Sequence, residues 1–340
     1  MRQLWRRRAS SAGACVVSEV FERRFVIVSG KGGVGKSTVS AALGLAAARR
    51  GRRTCIVQLH TRDTIGRHFG LPPIGYTPVR LDPTLPLWGT MLRPRDALRE
   101  YSLMKLRFRA LHRLVFENDI MRRVVDMMPG ITEILLLGKA WHMEHRETDA
   151  DGNPAWDTLI LDAPSTGHGI SLLRLPEVVL GAVSSGPLAD DARHMQELLT
   201  DPVRTSFNIV TLAQELAVNE TIELAATARE VIGVPVGNVF ANCLLPPLFD
   251  AAQMDLLTAA RGNGGGELVQ ACVAAADHYH YRRARQAEQL ARLGAEQPMT
   301  VVPLPHLLRT LDRAGIEQLS ECCVAGVTGT VVGSHAAARP

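Results

Sequence analysis

The sequence predicts an α/β fold, with a doubly wound, mostly parallel sheet and a helical insertion. Short apolar runs alternate with helical patterns along most of the chain, which is typical of parallel strands joined by crossover helices. The stretch from about residue 90 to about residue 150 is instead helical throughout. The 340 residues suffice for one large domain or two smaller ones. Since no internal repeat stands out, we expect a single core that carries the insertion.

The strands follow from the apolar runs in chain order. The first strand–loop–helix unit is predicted at about 25–50, and the second strand at 54–59. Residues 71–88 contain five prolines and are predicted to be an irregular connection. Residues 149–154 form a turn. Further strands are predicted at 158–162, 207–212, 236–242 and 301–304.

Composition excludes several classes of protein. The net charge of +4 is small and the arginines form no aromatic-interleaved stripe, so no nucleic-acid partner is expected. No run of 18 uninterrupted apolar residues is present, so no membrane-spanning helix is predicted. The six cysteines form no C-x-x-C pair, which favours buried, reduced thiols and a cytoplasmic location.

The chain divides into a central domain and two ends. Residues 1–24 are Arg-rich and predict a flexible basic extension, although their composition also fits an organelle transit peptide. Residues 25–320 form the predicted domain, in which about 90–150 and part of 175–200 make a helical subdomain. Residues 321–340 are mostly small amino acids, a composition that predicts a flexible tail.

A glycine-rich segment lies between the first strand and the first helix. Residues 30–38 fit the phosphate-loop pattern G-x-x-x-x-G-K-[ST] in the strand–loop–helix context that it requires. The backbone N–H groups would surround phosphate oxygens, and the helix N-terminus adds a positive dipole end. Lys36 would reach the β- and γ-phosphates, and the Ser37 hydroxyl would bind Mg²⁺. The sequence therefore predicts a nucleotide site of the P-loop NTPase type. The predicted loop residues are Gly30, Lys31, Gly32, Gly33, Val34, Gly35, Lys36, Ser37 and Thr38.

A second motif supplies the carboxylate that such a site needs. The apolar strand predicted at 158–162 ends in Asp162, and Mg²⁺ in these sites is held by a carboxylate at the end of a strand near the loop. Residues 163–169 are rich in small and turn-forming residues. Such a segment can rearrange when a γ-phosphate arrives or leaves.

These motifs together resemble one family. Lys31, directly after the first glycine of the loop, resembles the signature lysine of the deviant Walker A class of dimeric P-loop ATPases. The run Asp-Ala-Pro-Ser-Thr-Gly-His at 162–168 is similar to switch II of the ArsA family within that class. Segments at 201–221, 239–242 and 302–305 also look like this family. The resemblance spans about 24–320, although the phosphate loop itself is shared with partition and nitrogenase iron-protein ATPases.

The resemblance implies a Mg²⁺-dependent ATPase that closes as a dimer on ATP and opens when phosphate leaves. Lys31 would cross the dimer interface to the partner's nucleotide, and Lys36 and Asp162 would keep their phosphate and Mg²⁺ roles. Asn242 would read the adenine edge, because its amide can both donate and accept hydrogen bonds. The segment Pro303, Leu304 and Pro305 would flank the base.

Switch I departs from the family pattern. His60 stands where the family has an aspartate that positions or activates the attacking water, and Asp63 lies three residues on. Histidine can act as a base near neutral pH, but a neutral ring lacks the charge of a carboxylate. Three hypotheses follow: an ArsA-type ATPase, a slow or non-hydrolysing nucleotide-gated binding module, and a partition or positioning ATPase.

The implied partners are a second copy or a paralogous chain, and either a membrane anion transporter or a hydrophobic client protein. The paired-cysteine zinc motif and the arsenite-type cysteine triad of family members are absent. Seven of the ten methionines fall in or near the helical insertion. Methionine adapts to varied apolar surfaces, so these residues would form either a client groove or plain core. The seven are Met91, Met104, Met121, Met127, Met128, Met143 and Met195.

Overall fold

One mixed sheet runs through the protein. The computed structural model describes residues 19–59, 63–105, 130–149, 151–262, 266–296 and 299–328. Eight strands of these residues form the sheet, in the order β3-β4-β2-β5-β1-β6-β7-β8. Each neighbouring pair is parallel except β3–β4, which is antiparallel. The predicted fold class is confirmed. The strands are β1 Phe25–Ser29, β2 Thr54–Gln58, β3 Val79–Arg80, β4 Leu87–Met91, β5 Thr158–Asp162, β6 Thr205–Leu212, β7 Val236–Leu244 and β8 Thr300–Pro305.

Helices cover both faces of this sheet. Phe25 and Ile27 of β1 belong to one core cluster, and Val26 and Val28 belong to another, as the alternation of a strand requires. Full burial on both faces explains the continuous apolar runs. The helices are α1 Lys36–Arg49, α2 Ile65–His68, α3 Pro94–Lys105, α4 Ile131–His145, α5 Thr166–Ala182, α6 Pro187–Thr200, α7 Glu215–Ala226, α8 Ala251–Gly262, α9 Glu267–Glu296 and α10 Arg313–Thr328.

The strand register places the functional motifs side by side. β1 lies between β5 and β6, and Val28 pairs with Asp162. The carboxyl ends of parallel strands meet at one edge of the sheet, where such folds bind ligands. Asp162 therefore ends next to the loop that leaves β1.

The predicted irregular connection is partly wrong. Residues 87–91 form β4, which pairs with β2, and residues 79–80 form the short β3. The sequence pattern did not predict β4, because prolines precede it and a glycine lies at its centre. A Cβ at Gly89 would lie 3.0 Å from the Leu81 side chain, so the glycine allows Leu81 to pack directly over the strand.

Both predicted chain ends also need correction. Val20 and Phe21 are buried against the core that contains β1, so the extension predicted over 1–24 does not include them. Helix α10 runs to Thr328, and its residues Cys323 and Val327 are fully buried. The flexible tail predicted to start at residue 321 is therefore wrong for 321–328, because small apolar residues there pack against the sheet.

Val327→Ala tests this packing. We expect it to lower the free energy of unfolding by about 2 kcal/mol, because a buried valine loses two methyl groups and leaves a cavity. Val203→Ala is the matched control, since Val203 is 72% exposed and its truncation should cost almost nothing. Urea unfolding of both variants measures the difference. If Val327→Ala unfolds at the same urea concentration as Val203→Ala, residues 321–328 do not pack as described.

The helical insertion packs on the face opposite α1. Helices α3 and α4 lie against each other, and α4 contacts both α5 and α6. The methionines Met91, Met143 and Met195 are all buried, and Met195 also lines a cavity between α3, α4 and α6. Met121, Met127 and Met128 lie outside the described residues, and so does the side chain of Met104. No helix of the described residues is both long and apolar enough to cross a bilayer.

Candidate functional site

The loop between β1 and α1 is held tightly by its neighbours. Gly30 has a φ of 145°, and a Cβ there would lie 2.2 Å from the carbonyl oxygen of Val210 in β6. Gly35 has a φ of 95°, and a Cβ there would lie 2.3 Å from the amide nitrogen of Asn242. Any larger residue would push the loop away from these contacts. The glycines therefore fix the loop across the ends of β6 and β7 as well as permitting its turns.

The start of α1 is built to receive an anion. Gly35 occupies the N-cap position, where it has no side chain to bond the first backbone N–H groups, and the first turn contains no acidic residue. Those N–H groups have no partner within the helix. They and the helix dipole favour a phosphate at this position.

Lys36 lies inside the loop rather than in solvent. It is 7% exposed, and its Nζ donates a hydrogen bond to the carbonyl oxygen of Lys31 at 3.0 Å. Burial lowers the pKa of Lys36, and the charge of Asp162 partly opposes that shift. A desolvated ammonium group binds phosphate oxygens strongly, because little water competes for it.

Ser37 and Asp162 meet as the sequence predicts. The Ser37 hydroxyl donates to Asp162 Oδ2 at 2.6 Å, and the hydroxyl of Ser40, one turn along α1, lies 3.4 Å from Oδ1. Asp162 is fully buried at the end of β5. A hydroxyl and a carboxylate are hard oxygen ligands of the kind that Mg²⁺ prefers, so Ser37 and Asp162 could hold the cation. The residues present fit a Mg²⁺ site.

Lys31 points away from its own loop. Its Nζ donates to Glu220 Oε1 of α7 at 2.5 Å. The two side chains are 37% and 32% exposed, so the pair lies at the surface beside the phosphate loop. Leu216, one helical turn before Glu220, is 62% exposed. Glu220 lies in a family-like segment of the sequence, but no residue pattern indicated that it pairs with Lys31.

Asn242 holds the loop from the other side. Its side-chain amide donates to the carbonyl oxygen of Val34 at 2.8 Å. This bond uses the donor end of the amide and leaves the oxygen as an acceptor. Leu304 is fully buried in the core, while Pro303 is exposed and Pro305 is half-buried. Of the predicted base-flanking segment, therefore, only the two prolines can face a ligand.

A cavity of about 260 Å³ is lined in part by Cys243 and His306, the residues that directly follow Asn242 and Pro305. It is lined in part by Cys243 and Leu308, which have φ values of 57° and 54°. Non-glycine residues with positive φ are uncommon, and they cluster at ligand sites. Gln286 of α9 holds the rim, since its Nε2 donates to the Cys243 carbonyl and its Oε1 accepts from the Leu245 backbone. These residues lie far apart in the sequence, which gave no sign that they converge.

The predicted switch I residue, His60, lies outside the described residues. Asp63 is described, and both of its oxygens are engaged: Oδ1 accepts from Gly66 N at 3.0 Å and Oδ2 from Ile74 N at 2.9 Å. This carboxylate orders the loop around α2.

His68 is a site residue that the sequence did not reveal. Its Nε2 lies 3.5 Å from the Thr38 hydroxyl, and within the described residues its Nδ1 is buried without a hydrogen-bond partner. Burial lowers the pKa of His68, although the nearby charge of Asp162 opposes the shift. A neutral His68 beside Thr38 completes the wall of the site on the α2 side.

The segment after Asp162 packs closely on the end of β1. A Cβ at Gly169 would lie 2.8 Å from Ser29 Oγ. The Ser29 hydroxyl is buried, and within the described residues it has no hydrogen-bond partner. Movement of this segment would therefore uncover a polar group directly before the phosphate loop.

Comparisons with known proteins agree with this geometry. The family model described as anion-transporting ATPase matches residues 23–185. The ATPase BagA of Mycobacterium tuberculosis is 30% identical over 274 residues, which cover 77% of this chain and 77% of that protein. The arsenical pump-driving ATPase of Acidiphilium multivorum is 29% identical over 257 residues, or 69% of this chain and 42% of that protein. An arsenical pump-driving ATPase of Escherichia coli is 27% identical over 242 residues, or 65% of this chain and 40% of that protein.

Proposed function

Because this chain belongs to the ArsA ATPase family, we propose that it binds and hydrolyses ATP with Mg²⁺ and uses the cycle to close and open a dimer. The observation that carries the proposal is the Ser37–Asp162 contact at 2.6 Å, directly beside the buried Lys36. The three groups that a phosphate loop needs for metal and phosphate are thus already assembled.

The roles in the site follow from the contacts. Lys36 would turn from the Lys31 carbonyl to the β- and γ-phosphates. Ser37 and Asp162 would hold Mg²⁺, which neutralises the charge that develops on the phosphates. The base would lie near Pro305, with the side-chain oxygen of Asn242 accepting from it, beside the 260 Å³ cavity that Cys243 and His306 line.

The proposed dimer rests on the position of Lys31. The Lys31 ammonium group binds Glu220 at the surface and is turned away from its own phosphate loop. In a second copy placed against this face it would reach the partner's nucleotide, as the resemblance implies. The exposed Leu216 lies on the same face of α7 as Glu220 and would be covered by that partner.

The coupled partner is proposed to be an anion transporter of the membrane, with the chain acting in the cytoplasm. Met91, Met143 and Met195 are buried. The cavity between α3, α4 and α6 is about 520 Å³, which suits a small molecule rather than a helix of a client protein. Within the described residues, these two observations weigh against a hydrophobic client.

Hydrolysis measured on Ser37 variants tests the proposal. We expect Ser37→Ala to lower Mg²⁺-dependent ATP turnover by at least about tenfold, because Mg²⁺ loses one protein ligand. Ser37→Thr keeps the hydroxyl and is the matched control, expected to stay within about threefold of the wild type. Equal rates for wild type and Ser37→Ala would contradict the proposed metal site.

The same assay decides between the proposal and its main alternative. His60 in place of the switch I aspartate motivates a slow, nucleotide-gated binding module. Brisk turnover by the wild type excludes that module. ATP binding with negligible turnover favours it over an efficient ATPase.

A further inference from the structure

Lys31 is tied to its own subunit at two points. Its backbone carbonyl accepts a hydrogen bond from Lys36 Nζ at 3.0 Å, and its side-chain ammonium donates to Glu220 Oε1 at 2.5 Å. The first contact fixes the loop and the second fixes the direction of the side chain. Any role of Lys31 outside its own subunit requires the second contact to break.

Glu220 cannot follow Lys31 when the loop moves. Its helix α7 continues from β6, which pairs with β1, so α7 is fixed to the sheet that carries the phosphate loop. The flanking residues Ala217, Val218 and Thr221 are buried, which anchors the helix. The helix therefore stays in place when the ion pair breaks, and Lys31 must swing away from Glu220 to reach a partner.

We propose that Glu220 is a positioning residue that holds Lys31 on its own subunit and so sets how readily ATP closes the dimer. The inference rests on the proposed function, because it requires Lys31 to act on a partner's nucleotide. ATP bound to the same subunit would draw Lys36 away from the Lys31 carbonyl and break that hydrogen bond. The ion pair between Lys31 and Glu220 would remain until the partner's phosphates compete for the ammonium group.

The balance of charges makes this competition favourable. Both side chains are about one-third exposed, so the pair is partly screened by water and contributes only a few-fold to an equilibrium. A triphosphate carries several negative charges against the single charge of Glu220, so it outcompetes the carboxylate. When the γ-phosphate leaves, the partner's nucleotide carries less negative charge and attracts Lys31 less strongly. Lys31 then pairs with Glu220 again, which favours opening of the dimer.

Glu220→Gln tests the inference. It removes the charge that holds Lys31 and keeps the size of the side chain. Sedimentation velocity with saturating MgATP, over a series of protein concentrations, gives the dimerisation constant. A symmetric dimer must break two Lys31–Glu220 pairs, so we expect the variant to dimerise about tenfold more tightly than the wild type.

Two controls separate this effect from a structural one. Glu223→Gln makes the same charge change at an exposed position of the same helix, and it should dimerise like the wild type. ATP affinity measured at protein concentrations too low for dimerisation should change by less than about twofold in Glu220→Gln, because Glu220 contacts the Lys31 side chain, which points away from the phosphate loop. General damage to the fold would lower both quantities.

The outcomes distinguish the inference from the proposed function. If the wild type dimerises on ATP but Glu220→Gln dimerises equally or more weakly, the inference is wrong and the proposed function stands. If the wild type binds ATP and stays monomeric at all concentrations, the dimer of the proposed function is wrong, and the inference with it. Tighter dimerisation by Glu220→Gln alone supports both.

Discussion

Lys36→Met is expected to abolish the response of the protein to ATP while leaving its fold intact. The affinity for MgATP should fall about 100-fold or more, because truncating one partner of a buried charged contact costs on the order of 3 kcal/mol. The effect is large because Lys36 is only 7% exposed, so no water can replace the lost ammonium group. Isothermal titration of wild type and variant with MgATP measures it.

The control for this variant is its stability without nucleotide. Burial lowers the pKa of Lys36, which means that the folded chain holds this charge less favourably than the unfolded chain does. Removing the charge should therefore leave the melting temperature unchanged or raise it. The wild type, by contrast, should gain about 2.7 kcal/mol of stability at an ATP concentration 100 times its Kd, and Lys36→Met should gain almost none. A variant that still melts higher with ATP would contradict the assigned role.

The sequence could place Lys36, Ser37 and Asp162 at one edge of the sheet because these residues are local to one motif or lie at a strand end. Lys36 and Ser37 lie next to each other at the start of a helix, so their motif is complete within nine residues. Asp162 is distant in sequence, but it ends an apolar strand. In a parallel sheet that is enough to place it at the same edge as the loop.

The rest of the site depends on contacts that no local pattern encodes. Glu220 meets Lys31 across 189 positions, and His68 meets Thr38 from a helix of four residues. Strand β4 went unpredicted because it is short, follows prolines and contains a glycine that exists to let Leu81 pack over it. The burial of Val327 depends on a groove made by α1 and β8, which only the folded chain forms.

Lys31→Ala is expected to remove ATP-dependent dimerisation and to lower turnover about 100-fold. A charge supplied to the transferring phosphoryl group is worth about 10²–10³ in rate in comparable sites. ATP affinity of the single chain should stay within about threefold of the wild type, since the Lys31 side chain points to Glu220 and not to its own loop. Glu220→Gln is the matched comparison, because it breaks the same ion pair but keeps the lysine, and it should remain active.

Mixing two inactive variants shows whether Lys31 acts across the interface. Lys31→Ala still binds ATP but lacks the lysine, and Lys36→Met keeps Lys31 but stays largely empty at ATP concentrations just sufficient to fill Lys31→Ala. In a mixed dimer the Lys31→Ala subunit holds ATP and receives Lys31 from its partner. Neither variant is expected to pair with itself on ATP, so the dimers that form are mixed and each has one complete site of two. An equimolar mixture should therefore recover up to about half of the wild-type rate. A mixture as inactive as its components would mean that Lys31 serves its own nucleotide, or that one complete site does not suffice. Wild type mixed with Lys36→Met separates these two readings, because its mixed dimers also contain a single occupied site and keep both lysines.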